Sequence, residues 1–418
     1  MGRPSSTRFA INIWNKDGMT LMRVQFDNGT LTIYLEGRID SNNAAQTEQE
    51  LMAAADGAVD TVPILDADGL EYISSAGLRV LMKLRKRYKQ PLKVLNVTPE
   101  VYDIFEVTGF SELLEIHKKL REVSIEGCAL LGEGANGKVY RFTTDEMIKV
   151  FRHGHTLEAI EQEREASRKA FLLGVPCAIP FDTVRCGENY GTIYELLKAA
   201  TLTERIREDP LDLPRYAERS AKLLHQMHEI EVPEGQMPRA SRLLHHIVDA
   251  VSADFAQEEI ALMHRLYEAI PEGSCFVHND FHAKNIMESG GELILIDLGD
   301  AGAGNPLIDL IRCYMMYLLI GRGLKQPSPE EMSFIGLTYG ESARFWEIFL
   351  PEYCGSDAEA RRLNPILEPY AWLMYLTQSM AHPMIPVQYN PAFANRIREL
   401  VLPRAEEMMD SIGTGLRT

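Results

Sequence analysis

The sequence predicts two consecutive folds: a small α/β domain over residues 19–118, followed by an α+β unit over residues 125–418. Three observations lead to this prediction. The chain has 418 residues, several times what one hydrophobic core requires. Strand-like apolar runs interleave with helical patterns up to residue 118, whereas helical patterns dominate beyond Leu202. A polar, lysine-rich stretch, Ile116–Ser124, separates the two patterns, and we assign residues 119–124 as the linker.

The composition is that of a soluble globular protein. Hydrophobic residues make up 45% and charged residues 25% of the chain. No apolar run approaches the ~20 residues of a membrane span, so we predict none. The six cysteines are scattered, with no C-x-x-C pair, which predicts free thiols and a cytoplasmic location.

The charge is unevenly distributed. The first 118 residues carry 13 basic and 16 acidic side chains, so −14 of the formal net charge of −17 falls on the remainder. A field of that sign repels phosphate backbones, which argues against nucleic acid as a partner.

The first domain has a pattern of alternating strands and helices. Residues 1–18 differ in pattern from the residues after Met19 and are treated as an N-terminal appendage. The predicted elements are strand Leu31–Leu35, helix Asn43–Ala55, strand Val62–Leu65, helix Ser75–Tyr88, strand Leu92–Val97 and helix Pro99–Thr108, which Gly109 ends.

The second unit divides into a strand-rich lobe, 125–198, and a helical lobe, 199–418. In the first lobe we predict strands at Met147–Phe151, near Thr183 and at Thr192–Leu197, with a helix ending at Leu173. Two short apolar runs, Cys275–Val277 and Leu293–Ile296, interrupt the helical lobe.

A serine pair lies at the start of the Ser75–Tyr88 helix. After the strand that ends at Leu65 the chain crosses a turn, so Ser74 or Ser75 is at or near the N-cap. One interpretation is a simple helix cap, which contributes typically ~1 kcal/mol. The other is an exposed phosphoacceptor, whose phosphate would meet free backbone amides and the positive end of the helix dipole.

The blocks Leu35-Glu-Gly-Arg-Ile-Asp40 and Tyr72-Ile-Ser-Ser-Ala-Gly-Leu-Arg79 resemble the STAS domain, the fold of anti-sigma factor antagonists. The resemblance covers about Met19 to Lys118. It implies a protein partner for this domain and a phosphorylated serine at Ser75. Ser74 stands where well-studied members carry an acidic residue.

A glycine-rich hairpin opens the second unit. Gly132, Gly134, Gly137 and Val139 fit G-x-G-x-x-G-x-V between two strand-like runs. The following strand carries Lys149 among apolar neighbours, where an ammonium requires an anionic partner such as a phosphate or a carboxylate. The next helix offers three carboxylates, Glu161, Glu163 and Glu165.

The third block is His278-Asn-Asp280-Phe-His-Ala-Lys-Asn285, followed by Leu293-Ile-Leu-Ile-Asp297. A carboxylate near a substrate hydroxyl accepts its proton, while an amide oxygen and a second carboxylate coordinate Mg²⁺ across ATP phosphates. Asp280, Asn285 and Asp297 supply that set.

These motifs together resemble the aminoglycoside phosphotransferase and choline kinase branch of the protein-kinase-like fold, over about Ile125 to Arg404. The resemblance implies ATP and Mg²⁺ as cofactors and a bilobal architecture. It also implies the roles of individual residues: Asp280 as base, Asn285 and Asp297 as metal ligands, Lys149 as phosphate anchor, Glu165 as the partner of Lys149, the glycine hairpin (Gly132, Gly134, Gly137, Val139) over the nucleotide, and Glu195 and Leu197 in the hinge that meets the adenine.

Three histidines are assigned structural roles. His225 and His228 are spaced to share a helix face, but no third metal ligand accompanies them, and in this family such a pair packs behind the loop that carries the base. His278 is interpreted as a scaffold of its loop, because Asp280 is better placed to accept a proton.

The leading hypothesis is therefore an ATP- and Mg²⁺-dependent phosphotransferase that acts on a hydroxyl of a small-molecule acceptor and carries a STAS-like regulatory domain. Two alternatives stay open. The chain is a regulatory interaction protein whose kinase-like half senses nucleotide, or it is a protein-serine kinase with a STAS serine as acceptor, including Ser75 of the same chain.

Overall fold

The computed structural model divides the chain into two units, Met1–Arg121 and Glu122–Thr418. The boundary falls inside the stretch predicted as the linker. The structure describes residues 9–14, 20–27, 29–57, 61–134, 136–320, 335–381 and 392–414. The rest of the predicted appendage lies outside these ranges, as do residues 321–334 and 382–391 of the helical lobe.

The first unit is built on one six-stranded sheet with its strands in chain order. The first two pairings are antiparallel and the other three are parallel. The strands are Phe9–Trp14 (β1), Thr20–Asp27 (β2), Thr30–Ile39 (β3), Ile64–Ile73 (β4), Lys93–Val97 (β5) and Glu115–Lys118 (β6).

Three helices form the crossover connections that the parallel pairings require. They are Ala44–Asp56 (α1), Ser75–Arg85 (α2) and Pro99–Val107 (α3). Gly109 adopts a left-handed φ of 73° just after α3, as a residue that ends a helix does. The alternation in β3 buries Leu31, Ile33 and Leu35 in the core of this unit.

Three details at the two ends of the first unit differ from the sequence prediction. Residues 9–14 of the predicted appendage form an edge strand that pairs with β2. Residues 116–118, the start of the stretch Ile116–Ser124 that separates the two predicted patterns, lie in β6, because the backbone of this strand pairs in parallel with β5. Arg121–Glu122 (β7) begins the sheet of the second unit, so the 119–124 segment is not all irregular.

The largest difference is in β4, which continues to Ile73 where the sequence predicted a turn after Leu65. The polar residues stay in the strand because they find partners on one face. Asp66 accepts a hydrogen bond from Asn96 Nδ2 at 2.9 Å, and Asp68 pairs with Lys119 Nζ at 2.7 Å. Ala67, between them, is buried on the other face.

The second unit begins with a six-stranded antiparallel sheet in the order β7-β11-β12-β10-β9-β8. One helix, Leu157–Leu172 (α4), follows β10 and begins where Thr156 Oγ1 accepts a hydrogen bond from Ala159 N. The remaining strands are Leu130–Glu133 (β8), Gly137–Arg141 (β9), Glu146–Phe151 (β10), Pro180–Cys186 (β11) and Asn189–Glu195 (β12).

The helical lobe contains the largest hydrophobic core of the chain. Its helices are Leu202–Glu208 (α5), Leu213–His228 (α6), Ser241–Ala250 (α7), Gln257–Glu268 (α8), Leu307–Tyr314 (α9), Tyr339–Cys354 (α10), Asp357–Ala381 (α11), Ala392–Leu400 (α12) and Ala405–Thr414 (α13). Its short strands are Ala200–Thr201 (β13), Cys275–Val277 (β14), Ile286–Ser289 (β15), Glu292–Leu295 (β16) and Gly302–Gly304 (β17).

The predicted class, a small α/β domain followed by a strand-rich lobe and a helical lobe, is confirmed. The six cysteines are free thiols. Within the described part of the chain, no helix combines the length and the apolar character that crossing a bilayer requires.

We predict that Gly77→Ala destabilises the first unit by about 1–3 kcal/mol, because this position is overpacked by any side chain. An added Cβ would lie 2.7 Å from methyl and methylene carbons of Ile39 and Ile73, both buried. Hydrogen exchange of the full chain should rise in peptides from β4 and α2 and stay unchanged in α6.

Gly57→Ala is the matched control in the same unit. Its added Cβ would meet Ala54 O at 3.4 Å, an ordinary van der Waals contact. Equal exchange in the two variants would contradict the packing argument.

Candidate active site

The glycine hairpin joins β8 to β9, and Gly134 N donates to Gly137 O at 2.9 Å across its turn. A side chain at Gly137 would overlap the carbonyl oxygen of Val150 on β10, so this glycine is required by strand packing. Gly132 and Gly134 have open space where a Cβ would stand. Val139 lies opposite Lys149 in the β9–β10 pairing, so the hairpin and the lysine are held in one sheet.

Lys149 joins the two lobes of the second unit through carboxylates from each. Its Nζ lies 2.6 Å from Glu163 Oε1 on α4 and 3.0 Å from Asp297 Oδ1, which follows β16. The Lys149 and Glu163 side chains are 15% and 14% exposed. Burial lowers the pKa of Lys149, but Asp297 and Glu163 outweigh burial and raise that pKa above its ordinary value. The ammonium is therefore firmly charged.

The assignment of Glu165 as the partner of Lys149 is wrong. Glu165 accepts hydrogen bonds from Arg168 Nε and Nη2, each at 2.8 Å. Two residues apart on a helix are about 200° apart around its axis, so Glu163 and Glu165 cannot both face the sheet. Ile160, Ser167 and Ala170 are buried on α4, and this stripe at spacing three and four also includes position 163.

Asp280 and Asn285 are held together within the 278–285 loop. Asn285 Nδ2 donates to Asp280 O at 3.0 Å and to Asp280 Oδ2 at 2.9 Å, and His282 Nε2 lies 3.5 Å from the same Oδ2. Both donors use Oδ2, which leaves Oδ1 of Asp280 for another group. Burial raises the pKa of Asp280, but the charges of His282 and Arg312 outweigh it and hold that pKa below its ordinary value. The carboxylate is ionised at neutral pH.

The backbone of the 278–285 loop is bound to a buried carboxylate for which the sequence analysis assigned no role. Asp309 on α9 is 0% exposed and accepts hydrogen bonds from His278 N at 2.8 Å and Asn279 N at 2.7 Å. Arg312, one turn further, donates from Nε to Asn279 O at 2.7 Å. Asn279 adopts a left-handed φ of 64°, which these bonds stabilise.

Of the three histidines, His228 and His278 are buried and His225 is not. His228 Nε2 lies 3.1 Å from Asp309 Oδ2 and its Nδ1 lies 2.7 Å from Tyr353 Oη, so this ring packs behind the loop. His225 is exposed on the same helix. His278 is buried, and its Nδ1 accepts from Asp280 N at 3.3 Å.

A cleft of about 280 Å³ lies between the two lobes of the second unit. Asp300 contributes a carboxylate with no hydrogen-bond or ion-pair partner among the described residues. Partial desolvation in the cleft, together with the charges of Asp280 and Asp297, raises its pKa. Asp297 enters the cleft from a left-handed backbone conformation, with φ of 61°. The lining residues are Asn136, Ala159, Gln162, Glu163, Asp280, Asp297, Gly299 and Asp300.

The oxygen donors of this cleft suit Mg²⁺. Asn285 uses its amide nitrogen on Asp280, which leaves its amide oxygen as an acceptor, and Asp297 uses only Oδ1 on Lys149. In the described ranges, no three His, Cys, Asp or Glu side chains are grouped to hold a metal. Mg²⁺ at nucleotide sites generally takes one or two protein oxygens together with water and substrate phosphates.

Glu195 and Leu197 lie where β12 leaves the first lobe. Glu195 N donates to Ile179 O at 3.3 Å, and Leu196 N donates to Asp145 O at 2.8 Å. Leu197, just beyond, is half-buried. These bonds fix the path of the segment between the lobes, and its contact with adenine stays a prediction.

The two serines at the start of α2 have different roles. Ser74 is the N-cap of α2, and its Oγ accepts from Ala76 N at 3.2 Å and Gly77 N at 3.4 Å. Ser75 is the first residue of the helix and is exposed. Because Ser74 provides the cap, the hydroxyl of Ser75 is left for solvent.

Family models match both units. Residues 22–123 match the STAS domain, and residues 127–327 match the phosphotransferase enzyme family. A protein of Bordetella bronchiseptica named as a putative anti-sigma factor antagonist is 38% identical over 92 residues, which are 21% of this chain and 78% of that protein.

Two solved structures share a partial likeness with the chain. The streptomycin–ATP complex of the aminoglycoside phosphotransferase APH(2'')-IIa is 18% identical, with a TM-score of 0.41 over 68% of this chain and 93% of that one. A choline/ethanolamine kinase family protein from Mesorhizobium loti is 15% identical, with a TM-score of 0.43 over 68% and 92% of the two chains.

The chain therefore combines a STAS domain with a following unit of the phosphotransferase type. It belongs to the STAS-domain family through residues 22–123, and its residues 127–327 match the model of the phosphotransferase enzyme family.

We predict that Glu163→Gln weakens MgATP binding about tenfold or more. The change removes the charge that holds Lys149 in the cleft, and a buried, charged pair loses several kcal/mol when one partner is lost. Isothermal titration of the full chain with MgATP measures the effect.

Glu165→Gln is the matched control, because Glu165 pairs with Arg168 on the outer face of the same helix. The affinity of this variant for MgATP should stay within about twofold of wild type, as expected for the loss of an exposed ion pair. A larger loss in Glu165→Gln than in Glu163→Gln would reverse the assignment.

Proposed function

We propose that this protein transfers the γ-phosphoryl group of ATP to a hydroxyl of a small-molecule acceptor, in a Mg²⁺-dependent reaction, and that its STAS unit binds a regulatory protein partner. One observation carries the proposal. Asp280 and Asp297, which come from separate segments of the sequence, line one cleft. Asn285 is hydrogen-bonded to the first of them and Lys149 to the second.

Each side chain has a defined task in this reaction. Asp280 is ionised and presents Oδ1, so it accepts the proton of the acceptor hydroxyl as that oxygen attacks the γ-phosphorus. The bond from the γ-phosphorus to the bridging oxygen of ADP breaks as the new P–O bond forms. Lys149, held by Glu163, offers a fixed positive charge to the nucleotide phosphates.

Asn285 and Asp297 would hold Mg²⁺ through their free oxygens. A Mg²⁺ ion held there would supply positive charge against the charge that develops on the phosphate oxygens. Asn285 has a second task, since its Nδ2 fixes the orientation of the Asp280 carboxylate. The proposed base and metal ligand are thus joined by two hydrogen bonds from one amide nitrogen, to Asp280 O and to Asp280 Oδ2.

We predict that the full chain transfers labelled phosphate from MgATP to at least one member of a panel of amino alcohols, sugars and aminoglycosides. Asp280→Asn should lower the rate by about 10²–10⁴-fold, because proton acceptance is lost while the shape of the loop is kept. Scintillation counting of separated acceptors measures transfer, and titration shows that the variant still binds MgATP. Glu165→Gln should transfer at the wild-type rate. Binding of MgATP without transfer to any acceptor would contradict the proposal.

A second candidate function has one observation in its favour. Ser75 is exposed while its neighbour Ser74 serves as the cap, so Ser75 is free to accept a phosphoryl group without loss of the helix. In this version the acceptor is a protein serine in a STAS domain.

For this candidate we predict that incubation with MgATP adds one phosphate to the wild-type chain and none to Ser75→Ala or Asp280→Asn. Intact-mass spectrometry of protein shown to be unphosphorylated beforehand measures it. Ser74→Ala, which removes the cap and leaves Ser75, should still gain the phosphate. An unchanged wild-type mass rules out Ser75 of this chain as the acceptor.

A further inference from the structure

The 278–285 loop closes with a single 3₁₀ turn, Ala283–Asn285, that lies between the predicted base and the predicted metal ligand. The first N–H of such a turn has no partner within the turn itself. Here Ala283 N donates to the hydroxyl oxygen of Tyr317 at 2.9 Å, and Ala283 is buried. One side chain therefore satisfies the donor that begins the turn.

Tyr317 reaches the turn from an unusual piece of backbone. Helix α9 is followed directly by a π-helical turn, Met315–Leu319, and the side chain of Tyr317 leaves from its middle. Its ring is fully buried and stacks on Phe345 of α10, with centroids 4.6 Å apart and planes 18° apart. The phenol is thus fixed by packing before it meets the loop.

We propose that Tyr317 is a positioning residue of the active site: its hydroxyl fixes the Ala283–Asn285 turn and thereby the geometry between Asp280 and Asn285. The inference rests on the function proposed above. Asp309 and Arg312 hold the N-terminal half of the loop through residues 278 and 279. Tyr317 holds its other half.

The consequence for Asn285 follows from the bonds that it makes. Asn285 N donates to His282 O at 2.8 Å, and its Nδ2 reaches both the backbone and the carboxylate of Asp280. A shift of the turn at Ala283 moves the amide group of Asn285 relative to Asp280. The hydroxyl of Tyr317 bonds to the loop and its ring stacks on α10, so the effect falls on the metal ligand and the base rather than on nucleotide affinity.

Tyr317→Phe tests the proposal, because it removes one oxygen and keeps the buried ring. In the full chain we expect kcat to fall about tenfold, the size expected when a buried N–H loses its partner, with KM for ATP within about twofold of wild type. The Mg²⁺ concentration for half-maximal rate should rise. Hydrogen exchange should increase in peptides that cover residues 281–287.

Tyr370→Phe is the matched control. Tyr370 is fully buried in the same lobe, and its hydroxyl has no hydrogen-bond partner among the described residues, so its loss should change none of these readouts. Both variants are assayed well below their melting temperatures.

Wild-type kcat and Mg²⁺ dependence in Tyr317→Phe would overturn the proposal, as would equal effects in the two variants. If the wild-type chain transfers no phosphate, the proposed function fails. Hydrogen exchange still tests the positioning role in that case, because it does not depend on phosphate transfer. Increased exchange confined to residues 281–287 in Tyr317→Phe supports the positioning role, whereas unchanged exchange there eliminates it.

Discussion

The buried carboxylate of Asp309 is the constraint on which the rest of the candidate site depends. A carboxylate with no exposed surface is stable only when its lone pairs are satisfied, and here two backbone N–H groups and His228 satisfy them. Those two N–H groups belong to His278 and Asn279, so the bonds that stabilise Asp309 also determine how the chain enters the loop. The position of Asp280 follows directly.

The same helix and its π-helical extension continue this control along the loop. The side chains at positions 309, 312, 313 and 317 contact the loop in the order of the chain. Asp309 bonds to residue 278, and Tyr317 bonds to Ala283 at the far end. A rigid element thus holds the backbone of an irregular one. Because the bonds involve loop backbone, the loop side chains remain available for chemistry. Preorganisation of this kind reduces the reorganisation required when ligands bind.

Elements whose sequence pattern is local could be predicted from the sequence alone. Residues 275–277 were predicted as a short apolar run that interrupts the helical lobe, and the structure has a strand with those bounds. The sequence did not predict the part of β4 that contains Asp66 and Asp68, because the residues that pair with these carboxylates, Asn96 and Lys119, are distant in sequence. The choice between Glu163 and Glu165 required the face of α4 that packs on the sheet. No local pattern could show that Asp309 would be buried under a loop about thirty residues earlier.

The packing at Gly137 determines which glycine of the hairpin motif would be retained in a related chain that had lost its activity. The strand β10 excludes any side chain at that position, so a descendant that no longer used nucleotide would still need glycine there to keep its sheet. Gly132 and Gly134 face open space and are under no such restriction. A chain with this fold and no catalytic activity should therefore keep the third glycine, whereas other residues can replace the first two. The third glycine of the motif is thus the least informative about whether a chain is catalytic.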